Sequence, residues 1–162
     1  MDKPLGVRYG SGTLGRIIAI RLAPGCDLLR SIRDVAKAEG IRAGVILSGV
    51  ASLSRATLRN VRTRPEPFPI TDANRVYTPR DEMLELVALS GNIAERDGEV
   101  MVHGHFVVTS GVEDGAAYGG HLVEGCEVLS TGEIVIAEVA GLPIVRRIDP
   151  QTQAPELFFR RE

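Results

Sequence analysis

An α+β fold with a largely antiparallel sheet and one early helix is what this sequence predicts, on three observations. Runs rich in β-branched residues recur along most of the chain, as in Val100–Val108 and Glu133–Ala140. Turn signals such as Pro24-Gly25, Asp97-Gly98 and Thr131-Gly132 separate them at strand-length intervals. Only the segment from Cys26 to Glu39 changes to a helical period. With 162 residues and 44% hydrophobic content, the chain suits one domain over residues 1–162 with its own core.

Taken in order, Arg16–Leu22 is an apolar run bounded by Gly15 and Pro24-Gly25 and reads as a buried strand. In Cys26–Glu39, Leu28, Leu29, Ile32, Val35 and Ala36 follow helical spacing, while Arg30, Arg33, Asp34, Lys37 and Glu39 fill the opposite face. Asp27 suits the positive end of that helix, and Gly40 stands where a helix stops. Ile41–Val50 and Ser54–Val61 read as two strands joined by a tight turn over Ser48–Ser52. Its backbone N–H groups would suit an anion, but no lysine or helix start completes a phosphate loop, so a plain turn is expected. Arg62–Arg80 contains Pro65, Pro67, Pro69 and Pro79 and reads as a long surface loop, because proline cannot donate to an interior ladder.

Strands resume at Glu82–Ile93, and Asp97-Gly98 turns the chain into Val100–Val108. Beyond Glu113-Asp114-Gly115 comes a second β-like run, His121–Val128, followed by a turn at Thr131-Gly132 and a strand over Glu133–Ala140. Gly141-Leu142-Pro143 breaks that strand, and Ile144–Ile148 forms a last one. Leu157-Phe158-Phe159 is an apolar patch suited to docking on the domain or on a neighbour.

All three histidines lie between Met101 and Cys126. On a strand, His103 and His105 share a face about 7 Å apart at their Cα atoms, close enough for both imidazoles to reach one ion. Antiparallel pairing of the His121 run with this strand would bring the third ring across, with Gly119-Gly120 allowing close backbone approach. Three neutral imidazoles suit a first-row divalent ion, zinc above others, with a fourth position open. Against this stands the ordinary reading of a strand His-x-His pair as two hydrogen-bonded surface side chains. Cys126 falls on the other strand parity from His121 and Cys26 is remote, so neither is expected as a ligand.

The formal net charge of −2 argues against a generic nucleic-acid binder. Its distribution is uneven: residues 1–64 carry twelve Lys/Arg and four Asp/Glu, and residues 65–162 carry seven and seventeen. Such asymmetry marks a basic face or interleaves on folding, and a shared core favours interleaving. No stretch reads as a signal peptide or membrane span, so a cytoplasmic location with both cysteines as thiols is expected.

The chain also resembles the PPC (plant and prokaryote conserved) domain. The resemblance is carried by Arg21-Leu22, Pro24-Gly25 and Asp27-Leu28-Leu29, then Gly44-Val45-Ile46-Leu47-Ser48-Gly49 and Leu58-Arg59. Further on come Leu89-Ser90-Gly91-Asn92-Ile93, His103-Gly104-His105-Phe106 and Gly119-Gly120-His121-Leu122-Val123-Glu124-Gly125. Together these span most of residues 16–140. The resemblance implies an α/β sandwich-like domain, a homotrimer, and a metal site on the His-x-His and Gly-Gly-His residues. In plants similar domains follow an AT-hook, an Arg-Gly-Arg-Pro element for the DNA minor groove, and this sequence contains none. It departs from the family pattern at Cys26 and in the longer Ser110–Ala117 connection.

These readings give three functional expectations. In the first, zinc on His103, His105 and His121 lowers the pKa of a bound water toward about 7 and serves an enzyme, such as a lyase or hydrolase, or a binder of a small carboxylated or carbonyl compound. Glu124 is then the candidate catalytic carboxylate, although regular strand parity turns it away from His121 unless a bulge re-aims it. Tyr118, Arg16, Arg21 and Arg55 are the candidate substrate contacts, with a neighbouring subunit as one route into the site. In the second, Arg55, Arg59, Arg62 and Arg64 contact DNA phosphates. In the third, the metal is structural and the protein is an assembly module.

Overall fold

A computed structural model describes residues 6–159. It contains β1 (Thr13–Leu22), α1 (Leu28–Ala38), β2 (Gly44–Val61), a 3-10 turn (Asp72–Asn74), β3 (Arg75–Arg80), β4 (Leu84–Arg96) and β5 (Glu99–Ser110). The remaining strands are β6 (Ala117–Leu122), β7 (Glu127–Ala140), β8 (Ile144–Ile148) and β9 (Pro155–Phe159). Nine strands share one sheet in the order β1-β7-β2-β6-β5-β4-β8-β9, with β3 against β2. Every pairing is antiparallel except a parallel one between β4 and β8 at Glu95 and Val145. The expected α+β class with one helix is therefore present.

β2 is the axis of the sheet. Its first part pairs with β7 on one side and β4 on the other, and its last residues pair with β6 and β3. Because β4 also pairs with β5, and β5 with β6, the strands β2, β4, β5 and β6 close a ring. Alternation then sorts the two faces. On β5, Gly104, Phe106 and Val108 point inward and are buried, which leaves His103 and His105 on the outer face. On β6, Leu122 is buried and His121 turns outward. Ile46, Leu53, Leu89, Ile93, Ile134 and Ile136 fill the interior, and α1 covers it with Leu28, Ile32 and Ala36.

Asp27 caps that helix, accepting from the Arg30 N–H at 3.0 Å. Its other oxygen accepts from Gly125 N at 2.7 Å and Cys126 N at 3.1 Å. One carboxylate thus ties the helix start to the segment that follows His121.

Several boundaries differ from the sequence reading. The turn expected over Ser48–Ser52 is absent, and β2 runs through it with register shifts at Ile46/Ser48 and Ala51/Leu53. Small residues there serve packing: a Cβ on Gly49 would meet Leu89 atoms at 2.8 and 2.9 Å. Likewise Gly132 lies within β7, close against Leu22 and Ala51, so no turn forms at Thr131-Gly132. The run His121–Val128 divides, since Gly125 takes φ +100 between β6 and β7. β1 is an edge strand with Ile17 60% exposed, so the Arg16–Leu22 run is only half-buried. The loop Arg62–Arg80 ends in β3, whose Pro79 is tolerated because β3 pairs with β2 alone. Leu157-Phe158-Phe159 docks on the domain through β9, which pairs with β8.

Candidate metal and ligand site

The three histidines meet where β6 bridges β5 and β2. His105 stands opposite His121 in the β5–β6 register, and His121 stands opposite Arg59 in the β2–β6 register. His103 stands opposite Asn92 of β4. Ring centroids are 4.7 Å apart for His103 and His121, 5.0 Å for His105 and His121, and 5.3 Å for His103 and His105. One ligand nitrogen from each ring lies within 4.8 Å of the other two.

The nitrogens suit a divalent ion in spacing and chemistry. The Nε2 atoms of His103 and His105 are 3.3 Å apart. Two imidazoles on one tetrahedral zinc, with bonds of about 2.0–2.1 Å, put their nitrogens at about that separation. Burial, followed by the charge of Arg59, pushes His121 down to about 3. Burial and then Arg146 hold His103 below the ordinary imidazole range. Both rings are therefore neutral at physiological pH, the form that coordinates a metal.

Arg146 of β8 lies against His103. Its Nη2 is 2.7 Å from Asn92 Oδ1 and 3.0 Å from His103 Nδ1, and its Nη1 donates to the Pro155 carbonyl at 2.9 Å. A guanidinium can only donate, so His103 Nδ1 accepts in this arrangement and Nε2, which faces His105, carries the ring proton; coordination through Nε2 requires that proton to leave or Arg146 to release Nδ1. Burial lowers the pKa of Arg146, and Glu156 opposes that shift.

A cavity of about 450 Å³ opens over the imidazoles. Arg59, Arg75, Arg146, Met101, Ile70 and Pro155 line it together with the three histidines. His105 also borders a smaller groove of about 230 Å³ beside Gly119 and Gly120.

The candidate catalytic and substrate-binding residues from the sequence lie elsewhere, and none of them lines the 450 Å³ cavity. Glu124 faces α1, paired with Arg30 at 2.8 Å and Arg33 at 3.2 Å, which holds its carboxyl below the usual range. Tyr118 donates to Glu113, and the Arg80 guanidinium stacks 3.6 Å above its ring. Arg16 pairs with Glu138 and Glu39, and Arg55 pairs with Glu127. Arg21 is exposed on β1, opposite Glu133. Of the four arginines considered for DNA, Arg59 lines the cavity, Arg55 and Arg64 have carboxylate partners, and Arg62 is exposed. Arg75 and Arg146 were invisible as site residues. One sat in an expected loop, and an arginine in a short apolar strand gives no sign of the face it takes.

Fold and site together define an α+β protein that presents a three-imidazole cluster on the outer face of its sheet. The chain belongs to the Plants and Prokaryotes Conserved (PCC) domain family, whose model matches residues 9–140. A plant- and prokaryote-conserved protein of Pyrococcus horikoshii is 32% identical with a TM-score of 0.75, over 92% of this chain and 96% of that one. A metal-containing protein from Archaeoglobus fulgidus is 26% identical with a TM-score of 0.76, over 94% and 99%. The bifunctional protein GlmU of Synechococcus sp. (strain JA-3-3Ab) is 36% identical over 96% of this chain, which spans 24% of that relative's length.

Proposed function

We propose that this PCC-domain protein binds a divalent metal, zinc by preference, on His103, His105 and His121, and uses it to bind or transform a small carboxylated or carbonyl compound. The observation that carries the reading is the convergence of three imidazole nitrogens on the wall of a cavity large enough for a metabolite. The metal-containing relative from Archaeoglobus fulgidus supports the metal part. When bound, the metal would supply a Lewis acid or an activated water at an open position. The protein's own residues keep His103 and His121 neutral and narrow the approach with Met101 and Ile70. In this reading the protein assembles as a homotrimer, as the family resemblance implies. Exposed Leu47, Val50, Val87 and Val107 on the strands supply apolar surface for such contacts.

The test is a ligand-observed NMR screen of small carboxylic and carbonyl compounds against zinc-loaded and chelator-treated protein. Hits that bind the zinc form at least about tenfold more tightly are expected. Equal affinity for both forms across all hits would contradict metal-dependent recognition.

A further inference from the structure

Arginine surrounds the histidine cavity on three elements. Arg59 comes from β2, Arg75 from β3 and Arg146 from β8, against a single lining carboxylate, Glu156. Arg146 is only 7% exposed, yet every acceptor it engages is neutral: Pro155 O, Asn92 Oδ1 and His103 Nδ1. Its Nε is buried and has no hydrogen-bond partner. Among the described residues, neither Arg146 nor Arg59 has a carboxylate within 4.0 Å, whereas Arg75 is held by Asp72 at 2.9 Å. A buried cation with no carboxylate in contact is costly, and an anion entering the cavity would offset that cost.

We propose that Arg59, Arg75 and Arg146 form an oxyanion receptor beside the imidazoles and seat the carboxylate or phosphate end of a small ligand. Guanidinium forks match both groups in geometry and charge. The receptor draws on the β8–β9 hairpin, which lies outside the matched residues 9–140 and supplies Arg146 together with the Pro155–Glu156 wall. The inference rests on the cavity being a ligand site, but it does not need the metal.

The test is therefore a ¹H–¹⁵N NMR titration of chelator-treated protein with acetate and, separately, inorganic phosphate. Saturable shifts are expected at the amides of Arg59, Asn60 and Arg75, with affinity falling at least about tenfold in Arg59→Gln and in Arg75→Gln. Arg42→Gln, at a residue paired with Glu95 outside the cavity, should bind as wild type does. The anion that binds more tightly identifies the ligand end as carboxylate or phosphate. No saturable shift with either anion, or wild-type affinity in both cavity variants, would overturn the receptor. Because no metal is present, that failure is distinct from a failure of metal uptake, and the spectra themselves report whether each variant is folded.

Discussion

His103 and His121 favour the neutral state in the fold, and this has a consequence for stability. In the unfolded chain both rings take up a proton near pH 6.5, whereas in the folded protein burial lowers His103 from that value and takes His121 down to about 3. The unfolded state thus binds more protons as pH falls, so the depressed rings contribute stability above about pH 6.5 that is lost toward pH 3. Metal-free protein should lose on the order of 1 kcal/mol between pH 7 and pH 5 after solvent screening is allowed for, read from urea unfolding midpoints. His121→Gln should flatten the loss, and an unchanged slope would show that the ring is not held neutral. The two thiols differ in the same way. Burial pushes Cys126 up to about 11, while Cys26 is partly exposed. Iodoacetamide at pH 8 should label Cys26 alone in the native protein, as read by peptide mass spectrometry.

At the scale of elements, two residues transmit sequence to site. Asp27 caps α1 and also holds Gly125 N and Cys126 N, which fixes the chain just after His121. Asp27→Ala removes a cap and strands two backbone donors, so a loss of about 2–4 kcal/mol is expected in denaturant unfolding. Gly91 faces Gly104 across β4 and β5, and a Cβ there would collide with the His103 carbonyl oxygen and meet Gly104 Cα at 2.8 Å. Gly91→Ala should therefore destabilise the fold and displace His103, reducing metal affinity together with the melting temperature. Asp27 was legible as a helix-end residue because capping is local chemistry. Its reach to Gly125 was not, because nothing in the sequence marks a contact 98 residues away. The same distinction explains the merged β2 and β7: Gly49 and Gly132 look like turn residues, and only the facing Leu89, Leu22 and Ala51 reveal them as packing positions.

Over the whole molecule, strand alternation and the order of the motifs made the class, the helix and the histidine triplet readable. What alternation could not give was closure of the β2-β4-β5-β6 ring, which sets Arg59 opposite His121, or the β4–β8 pairing that carries Arg146 to His103. Glu124 and Arg55 were attractive as chemistry, yet the fold sets each against an opposite charge from another element. The basic first half and acidic second half interleave in pairs such as Lys37–Glu99, Arg42–Glu95 and Arg16–Glu138. The proposed trimer predicts a light-scattering mass near three times the 17.4 kDa of one chain, and a monomer mass would refute it. The central claim is that the outer face of β5 and β6 holds a metal, and elemental mass spectrometry tests it most directly. Untagged protein purified without added metal, then incubated with zinc and desalted, should hold about one equivalent per chain. The His103→Ala, His105→Ala double variant should hold none while keeping the wild-type circular dichroism. Absence of metal from the wild type after that incubation, or equal metal in the double variant, would contradict it.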